Sequence, residues 1–352
     1  MAENSLQRLA QEGQSVWYDN LSRDLLRKGE LRRLIAKGIL GVTVNPTIFE
    51  KAVSEGDAYD DEIRELALAG RSTEEIYDQL IADDVRSACD ELATTYRETS
   101  ARDGYVSLEV APALARDPRN TVAAASRYWT AVDRPNLMVK IPATEEGVGA
   151  IEEALFQGLN VNVTLIFAEA RYRQVMEAYC RGLERRVAAG LPIHDLRSVA
   201  SFFVSRVDTE ADSRLDALIA EAEGDRRREL EEARGKAAIA NAAVAYQAFL
   251  EVFHGDRFRA LADAGGEVQR PLWASTSTKN PAYRDVLYCE ELIAPETVNT
   301  MPPSSIEAFL DHGRVALTLA GHVPGAAAEL AHLRQLGVEI DDVTQTLEVK
   351  GV

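Results

Sequence analysis

Cysteine, histidine and cationic residues are all scarce in this chain of 352 residues, and each scarcity narrows its chemistry. The three cysteines, Cys89, Cys180 and Cys289, are far apart and form no CxxC or Cys/His spacing. That pattern speaks against a disulfide framework or a zinc site and fits a reducing compartment. The five histidines, His194, His254, His312, His322 and His332, lie in helical or loop sequence. No His/Cys/carboxylate cluster has ligand spacing, so neither a metal nor another cofactor is expected. Lysine and arginine number 39 against 57 aspartates and glutamates, a formal net charge of −18. Such an excess of negative charge argues against nucleic acid or an anionic membrane as partner. No apolar run approaches the length of a membrane span. The opening Met1-Ala2-Glu3-Asn4-Ser5 has neither a basic nor an apolar leader pattern, and a cytoplasmic protein is expected. No GxGxxG or GxxxxGK[ST] follows a strand-like segment, which removes the usual nucleotide sites.

What is present is regular alternation. Hydrophobic residues make up 46% of the chain, enough for a sizeable core. Eight strand-like segments are read at 15–20, 41–46, 105–112, 136–143, 159–167, 198–207, 270–276 and 296–302. Amphipathic stretches separate them, at 23–37, 73–98, 121–131, 148–156, 168–189 and 235–253, with two more at 304–311 and 326–336. Alternating strand and helix predicts a parallel sheet, and eight units predict closure into a (β/α)8 TIM barrel with extra helices. No linker is visible, so residues 1–352 are read as one domain. The mixed-charge segment Glu221–Glu232 reads as a solvated helix face.

Barrel strands alternate between lumen and helix layer. That rule sorts polar from apolar residues in most of the segments. Asn160, Asn162 and Thr164 share one face, opposite Val161, Val163 and Leu165. Ser107 and Glu109 share another, as do Thr43 with Asn45 and Trp17 with Asp19. Ser201, Phe203 and Ser205 form one set, Trp273 and Ser275 another. The predicted lumen therefore holds Asp19, Asn45, Glu109, Lys140, Asn162, Thr164, Ser201 and Ser275. Each alone reads equally as a satisfied polar residue at a strand end. Together, two buried carboxylates and a buried lysine are too costly to lack a task.

Lys140 is the centre of that set. It is the only charge in Leu137-Met138-Val139-Lys140-Ile141-Pro142 and falls on the face opposite Leu137, Val139 and Ile141. Burial disfavours an ammonium ion, and a freed amine is a nucleophile that forms a Schiff base with a carbonyl. One carboxylate would then move protons for water loss, and a second would take a hydroxyl proton during carbon–carbon cleavage. Glu109 is expected to act through a water rather than by pairing with Lys140. After the seventh strand, Ser275-Thr276-Ser277-Thr278-Lys279-Asn280-Pro281 offers hydroxyls, loop amides and one lysine to a phosphate. Arg206 could add a fork of donors, but its parity requires a bend at the strand end.

These residues lie in segments that resemble transaldolase. The likeness runs through Gly41–Lys51, Val106–Val110, Leu137–Thr144, Asn160–Phe167, Ala200–Asp208, Pro271–Tyr283 and Thr297–Pro303, nearly the whole chain, and follows the longer bacterial branch of that family. The resemblance implies a metal-free class I aldolase-type barrel of the non-oxidative pentose phosphate pathway. It would carry a dihydroxyacetone unit from sedoheptulose 7-phosphate to glyceraldehyde 3-phosphate, giving erythrose 4-phosphate and fructose 6-phosphate. By the family pattern Lys140 is the Schiff-base lysine and Asp19 the acid/base at the C4 hydroxyl. Glu109 and Thr164 hold a proton-shuttling water. Asn45 and Asn162 bind the dihydroxyacetone part, with Ser201 and Phe203 shaping that pocket. Arg206 and Ser275 match phosphate-binding positions, and Lys279 stands where the family has an arginine. The family pattern also runs on past Val352 into a last helix over the barrel mouth. Two other readings are a fructose 6-phosphate aldolase on the same scaffold, whose relatives use a tyrosine near the imine, and a non-catalytic sugar-phosphate-binding barrel. Sugar phosphates are the expected partners, and a homo-oligomer is left open.

Overall fold

All eight expected strands form, and they close. A computed structural model of the chain describes residues 3–352. The strands are β1 (Gln14–Tyr18), β2 (Gly41–Thr43), β3 (Tyr105–Glu109), β4 (Leu137–Pro142), β5 (Val161–Ile166), β6 (Ser198–Phe203), β7 (Arg270–Ala274) and β8 (Thr297–Met301). They run parallel and in sequence order around the barrel, with β8 pairing back onto β1. Most are shorter at their C-terminal ends than the sequence suggests. Asp19, Asn45 and Ser275 consequently lie just beyond their strands, and Arg206 in the first turn of the helix that follows β6, at the end of the barrel where its chemistry resides.

The helix layer follows the apolar periodicity. The helix Thr73–Glu98 has its expected limits and starts in a capping box at Ser72 and Glu75. The stretch 23–37 breaks into Arg23–Arg27 and Glu30–Ala36 because Gly29 adopts a left-handed backbone, φ 65°. The charged segment becomes the helix Gly224–Glu232, of which only Leu230 is buried. The last helix, Ile340–Gly351, reaches the barrel rim, where Gly351 lies against Leu165 and Phe167.

Outward strand residues such as Val42, Val106, Val139 and Val163 join the main core beneath the helices. Inside, a second apolar cluster of Trp17, Tyr105, Met138, Val199, Leu272, Ala274 and Val298 fills the lower barrel. Gly41 makes this possible, since a Cβ there would lie 2.6 Å from the Trp17 indole. Below the cluster, Arg270 Nη2 meets Asp103 Oδ1 at 3.0 Å and Arg270 Nη1 donates to Ser15 Oγ. Asp103 also accepts from Ser15 Oγ and Trp17 Nε1.

That floor corrects the parity of β7. Trp273 was expected in the lumen, yet it packs outward, edge-on to Phe202 with ring centroids 6.1 Å apart. Arg270 must point inward to reach Asp103, so Leu272 and Ala274 follow it and Trp273 cannot. In β5 the register shifts between Val163 and Ile166, and Leu165 takes φ 59°. Leu165 therefore leaves the regular outward row and is only half-buried.

Candidate active site

A cavity of about 340 Å³ opens at the C-terminal ends of the strands. Asp19, Asn45, Lys140, Thr164, Ser201, Phe203, Arg206, Ser275 and Lys279 all line it. Nine of the eleven residues singled out from sequence thus face one space. The other two, Glu109 and Asn162, sit directly behind it. Another cavity, about 260 Å³, lies at the opposite face beside Arg102, Arg197 and Arg270 and has no lysine in its wall.

Strand register sets the centre. Glu109 of β3 is level with Lys140 of β4, which is level in turn with Asn162 of β5. Lys140 Nζ lies 3.1 Å from Glu109 Oε2, with the two side chains 9% and 14% exposed. The expected intervening water is therefore replaced by direct pairing, because neighbouring parallel strands hold the two inward side chains side by side. Among the described residues neither group has a further hydrogen-bond partner. Asn162 is fully buried, accepts from Ser201 Oγ at 2.7 Å and donates to Ser107 Oγ at 3.0 Å. It acts below the cavity as a spacer between β3 and β6.

On the far wall Asp19 Oδ1 accepts from Thr43 Oγ1 at 2.8 Å, and Thr43 Oγ1 is 2.7 Å from Thr300 Oγ1. Thr43 has a single proton and gives it to Asp19, so Thr300 is the donor in the second bond. Asn45 is the N-cap of the helix Pro46–Ser54, and its Oδ1 accepts from Ile48 N at 3.0 Å. Proline at the first helical position suits that start.

The third wall carries cations. Val204 breaks β6, with φ −107° and ψ −75°, and the helix Ser205–Glu221 begins immediately. This is the bend Arg206 required. Its guanidinium carbon lies 5.1 Å from the centroid of Phe203, whose ring also packs on Phe167. Ser275 faces the cavity although Ala274 already does, because its backbone is left-handed at φ 56°. Its carbonyl accepts from Ser205 N, and the two hydroxyls are 3.0 Å apart. Lys279 Nζ donates to Ser277 Oγ at 2.7 Å. A cavity with one amine, two carboxylates within reach and two cations at one end suits a phosphorylated carbonyl compound.

The lining also includes Ser277, from the hydroxyl-rich run after β7, and Thr300, Pro302 and Ser304, which were not singled out from sequence. Thr300 was accessible to the parity rule, since it alternates with the lumen residue Val298. Ser304 lies in the first turn of a helix and carries no such signal. Among the described residues no group of three or more His, Cys, Asp or Glu could hold a metal ion.

A family model described as Transaldolase/Fructose-6-phosphate aldolase matches residues 16–352. The chain belongs to the transaldolase/fructose-6-phosphate aldolase family. It is 52% identical over 349 residues to "Transaldolase" of Thermobifida fusca, covering 99% of this chain and 93% of that one. It is 50% identical over 350 residues to "Transaldolase 1" of Streptomyces coelicolor, covering 99% and 90%. With "Transaldolase" of Mycobacterium tuberculosis the figures are 49% over 351 residues, covering 99% and 92%. The family's TIM barrel is the fold described above, and no helix among the described residues is long and apolar enough to cross a membrane.

Proposed function

We propose that this chain is a transaldolase, moving a dihydroxyacetone unit from sedoheptulose 7-phosphate to glyceraldehyde 3-phosphate in the non-oxidative pentose phosphate pathway. The observation that carries the reading is the Lys140–Glu109 pair at 3.1 Å, at the edge of a cavity that Asp19 lines from another wall. Glu109 takes a proton from the Lys140 ammonium, and the free amine attacks C2 of the ketose. Glu109 then returns the proton to the departing hydroxyl, water leaves, and an imine forms. Asp19 removes the C4 hydroxyl proton, the C3–C4 bond breaks, and erythrose 4-phosphate departs while the enamine stays on Lys140. Attack of that enamine on the aldehyde of glyceraldehyde 3-phosphate forms the new bond, and hydrolysis releases fructose 6-phosphate. Thr164 flanks the water path, Asn45 and Ser201 serve the dihydroxyacetone end with Asn162 holding Ser201 from beneath, and Arg206, Ser275 and Lys279 serve the phosphate. The reaction needs no cofactor, and a cytoplasmic protein is the reading in keeping with it.

Borohydride reduction in the presence of fructose 6-phosphate should add mass to the peptide containing Lys140. Labelling elsewhere, or none, sinks the mechanism. Transfer is separated from simple aldol cleavage by supplying fructose 6-phosphate alone. Phe203 offers no hydroxyl to activate water at the imine, so little free dihydroxyacetone should appear, and adding erythrose 4-phosphate should start turnover to sedoheptulose 7-phosphate. Phe203→Tyr should raise acceptor-independent release. Free dihydroxyacetone formed from fructose 6-phosphate alone as fast as acceptor is consumed when present would make the chain an aldolase.

A further inference from the structure

Two buried carboxylates outside the reaction centre have no part in the chemistry above. Asp208 is 1% exposed and Asp212 8% exposed, and they sit one turn apart on the helix that begins at Ser205 and carries Arg206. Each accepts one backbone and one phenolic hydrogen bond. Ala238 N and Tyr288 OH donate to Asp208 at 2.7 Å each, and Gly235 N and Tyr283 OH donate to Asp212 at 3.0 and 2.6 Å. Tyr283 closes the loop after β7 and Tyr288 lies in the short helix that follows it, Leu287–Glu291. That loop holds Ser277 and Lys279 at the cavity and is braced internally by Thr278 Oγ1, which donates to Arg284 O at 2.9 Å. Gly235 is glycine of necessity here, since a Cβ would lie 2.9 Å from the Tyr283 ring and its φ is 70°.

The arrangement ties two separate pieces of one wall together. Arg206 rides on the helix and Lys279 on the loop. Along the strands they are joined where Val204 and Ser205 meet Ala274 and Ser275. Beyond that point Thr276 Oγ1 ties the start of the loop to Asn299 Oδ1 at 2.8 Å and Arg284 ties its end to Glu290 at 2.9 Å, but the two tyrosines are what bind it to the helix that carries Arg206. Buried carboxylates are costly and persist where geometry over-determines them.

We propose that Tyr283 and Tyr288, docked on Asp212 and Asp208, are positioning residues that set the spacing between Arg206 and the Ser277/Lys279 loop, and so the affinity for the phosphate of the sugar. The inference rests on the phosphate reading of Arg206 given above. Removing either hydroxyl loosens the loop without touching Lys140, Glu109 or Asp19.

The experiment compares Tyr283→Phe, Tyr288→Phe and Arg206→Ala using KM for fructose 6-phosphate, inhibition by inorganic phosphate, and turnover of unphosphorylated fructose. Each tyrosine variant should raise KM and the phosphate inhibition constant roughly three- to tenfold, the scale of one lost hydrogen bond, with kcat retained and fructose turnover unaffected. Placed on Arg206→Ala, Tyr283→Phe should add almost nothing. Asp212→Asn keeps an oxygen for Gly235 N–H and offers its amide to the Tyr283 oxygen, so it should hold KM near the unaltered value, whereas Asp212→Ala should raise it. Tyrosine variants that leave KM unchanged while Arg206→Ala raises it overturn the clamp and spare the phosphate site. Equal losses with both sugars, or equal behaviour of the two Asp212 variants, also overturn it. An Arg206→Ala protein that still separates phosphorylated from plain sugar as well as the unaltered protein removes the phosphate reading itself.

Discussion

The barrel contains a buried cation–carboxylate pair at each end of its lumen, and the two are built for opposite purposes. At the floor, Arg270 and Asp103 are 3.0 Å apart with side chains 8% and 4% exposed. Ser15, Trp17 and the Arg102 carbonyl add four more hydrogen bonds to the pair. At the mouth, Lys140 and Glu109 are 3.1 Å apart and have no other partner among the described residues, and Lys140 lines a cavity. A pair braced by several further hydrogen bonds locks geometry, whereas one with no other partner keeps its proton transferable. The choice of cation agrees. Arginine stays charged and presents a fixed fork, while lysine can give up its proton.

The sharpest way to break this comparison is Lys140→Arg. Arginine can still pair with Glu109, so the melting midpoint should stay close to that of the unaltered protein, but no imine should be trapped and transfer should vanish. Residual turnover would mean that Lys140 is not the nucleophile. The converse is Arg270→Met, which strands a buried Asp103 and should cost about 3–5 kcal/mol of stability in denaturant titrations. The protein that remains folded should keep its kcat. A large loss of kcat without loss of stability would erase the distinction between floor and mouth.

Next in size is Arg206→Ala, which should weaken phosphorylated ketoses by about 2–5 kcal/mol if it meets a desolvated phosphate. Lys279→Ala should follow with a smaller loss, since its amine is exposed on the loop. Ligand titration with fructose 6-phosphate reads both, and a greater loss from Lys279 would reverse the ranking. The smallest effect concerns pH. Burial pushes the Asp208 carboxyl up to about 6, above its value of 3.8 in an unfolded chain. The native state therefore binds more protons than the unfolded state between those values. Asp208's contribution is most favourable below pH 4 and is lost as pH rises through 6. Against Asp208→Asn, the stability of the unaltered protein should fall by about 1–3 kcal/mol between pH 4 and 7. Parallel pH profiles would remove that assignment.

Sequence periodicity captured the mouth better than the floor, for a physical reason. Glu109 and Thr164 lie in strands whose polar and apolar residues alternate cleanly, and Lys140 is the lone charge of an apolar strand, so the two-residue period alone aims them. Arg270 pairs with a residue 167 positions away, and no local pattern announces that contact. Missing it put Trp273 on the wrong face. Ser275 reached the site by a left-handed backbone turn that a serine does not advertise. The direct contact of Glu109 with Lys140 depends on the stagger of β3 against β4, which a single strand cannot reveal.

The capping bond of Asn45 decides what its amide says to a ligand. Its oxygen is committed to Ile48 N–H, so the face turned to the cavity is the NH2 group. That face recognises lone pairs and rejects hydrogens, which selects an oxygen that can accept at that point of the substrate. Aspartate at the same place would cap the helix equally well. It would present an acceptor where a donor is required, so the same fold would meet the sugar with the opposite polarity.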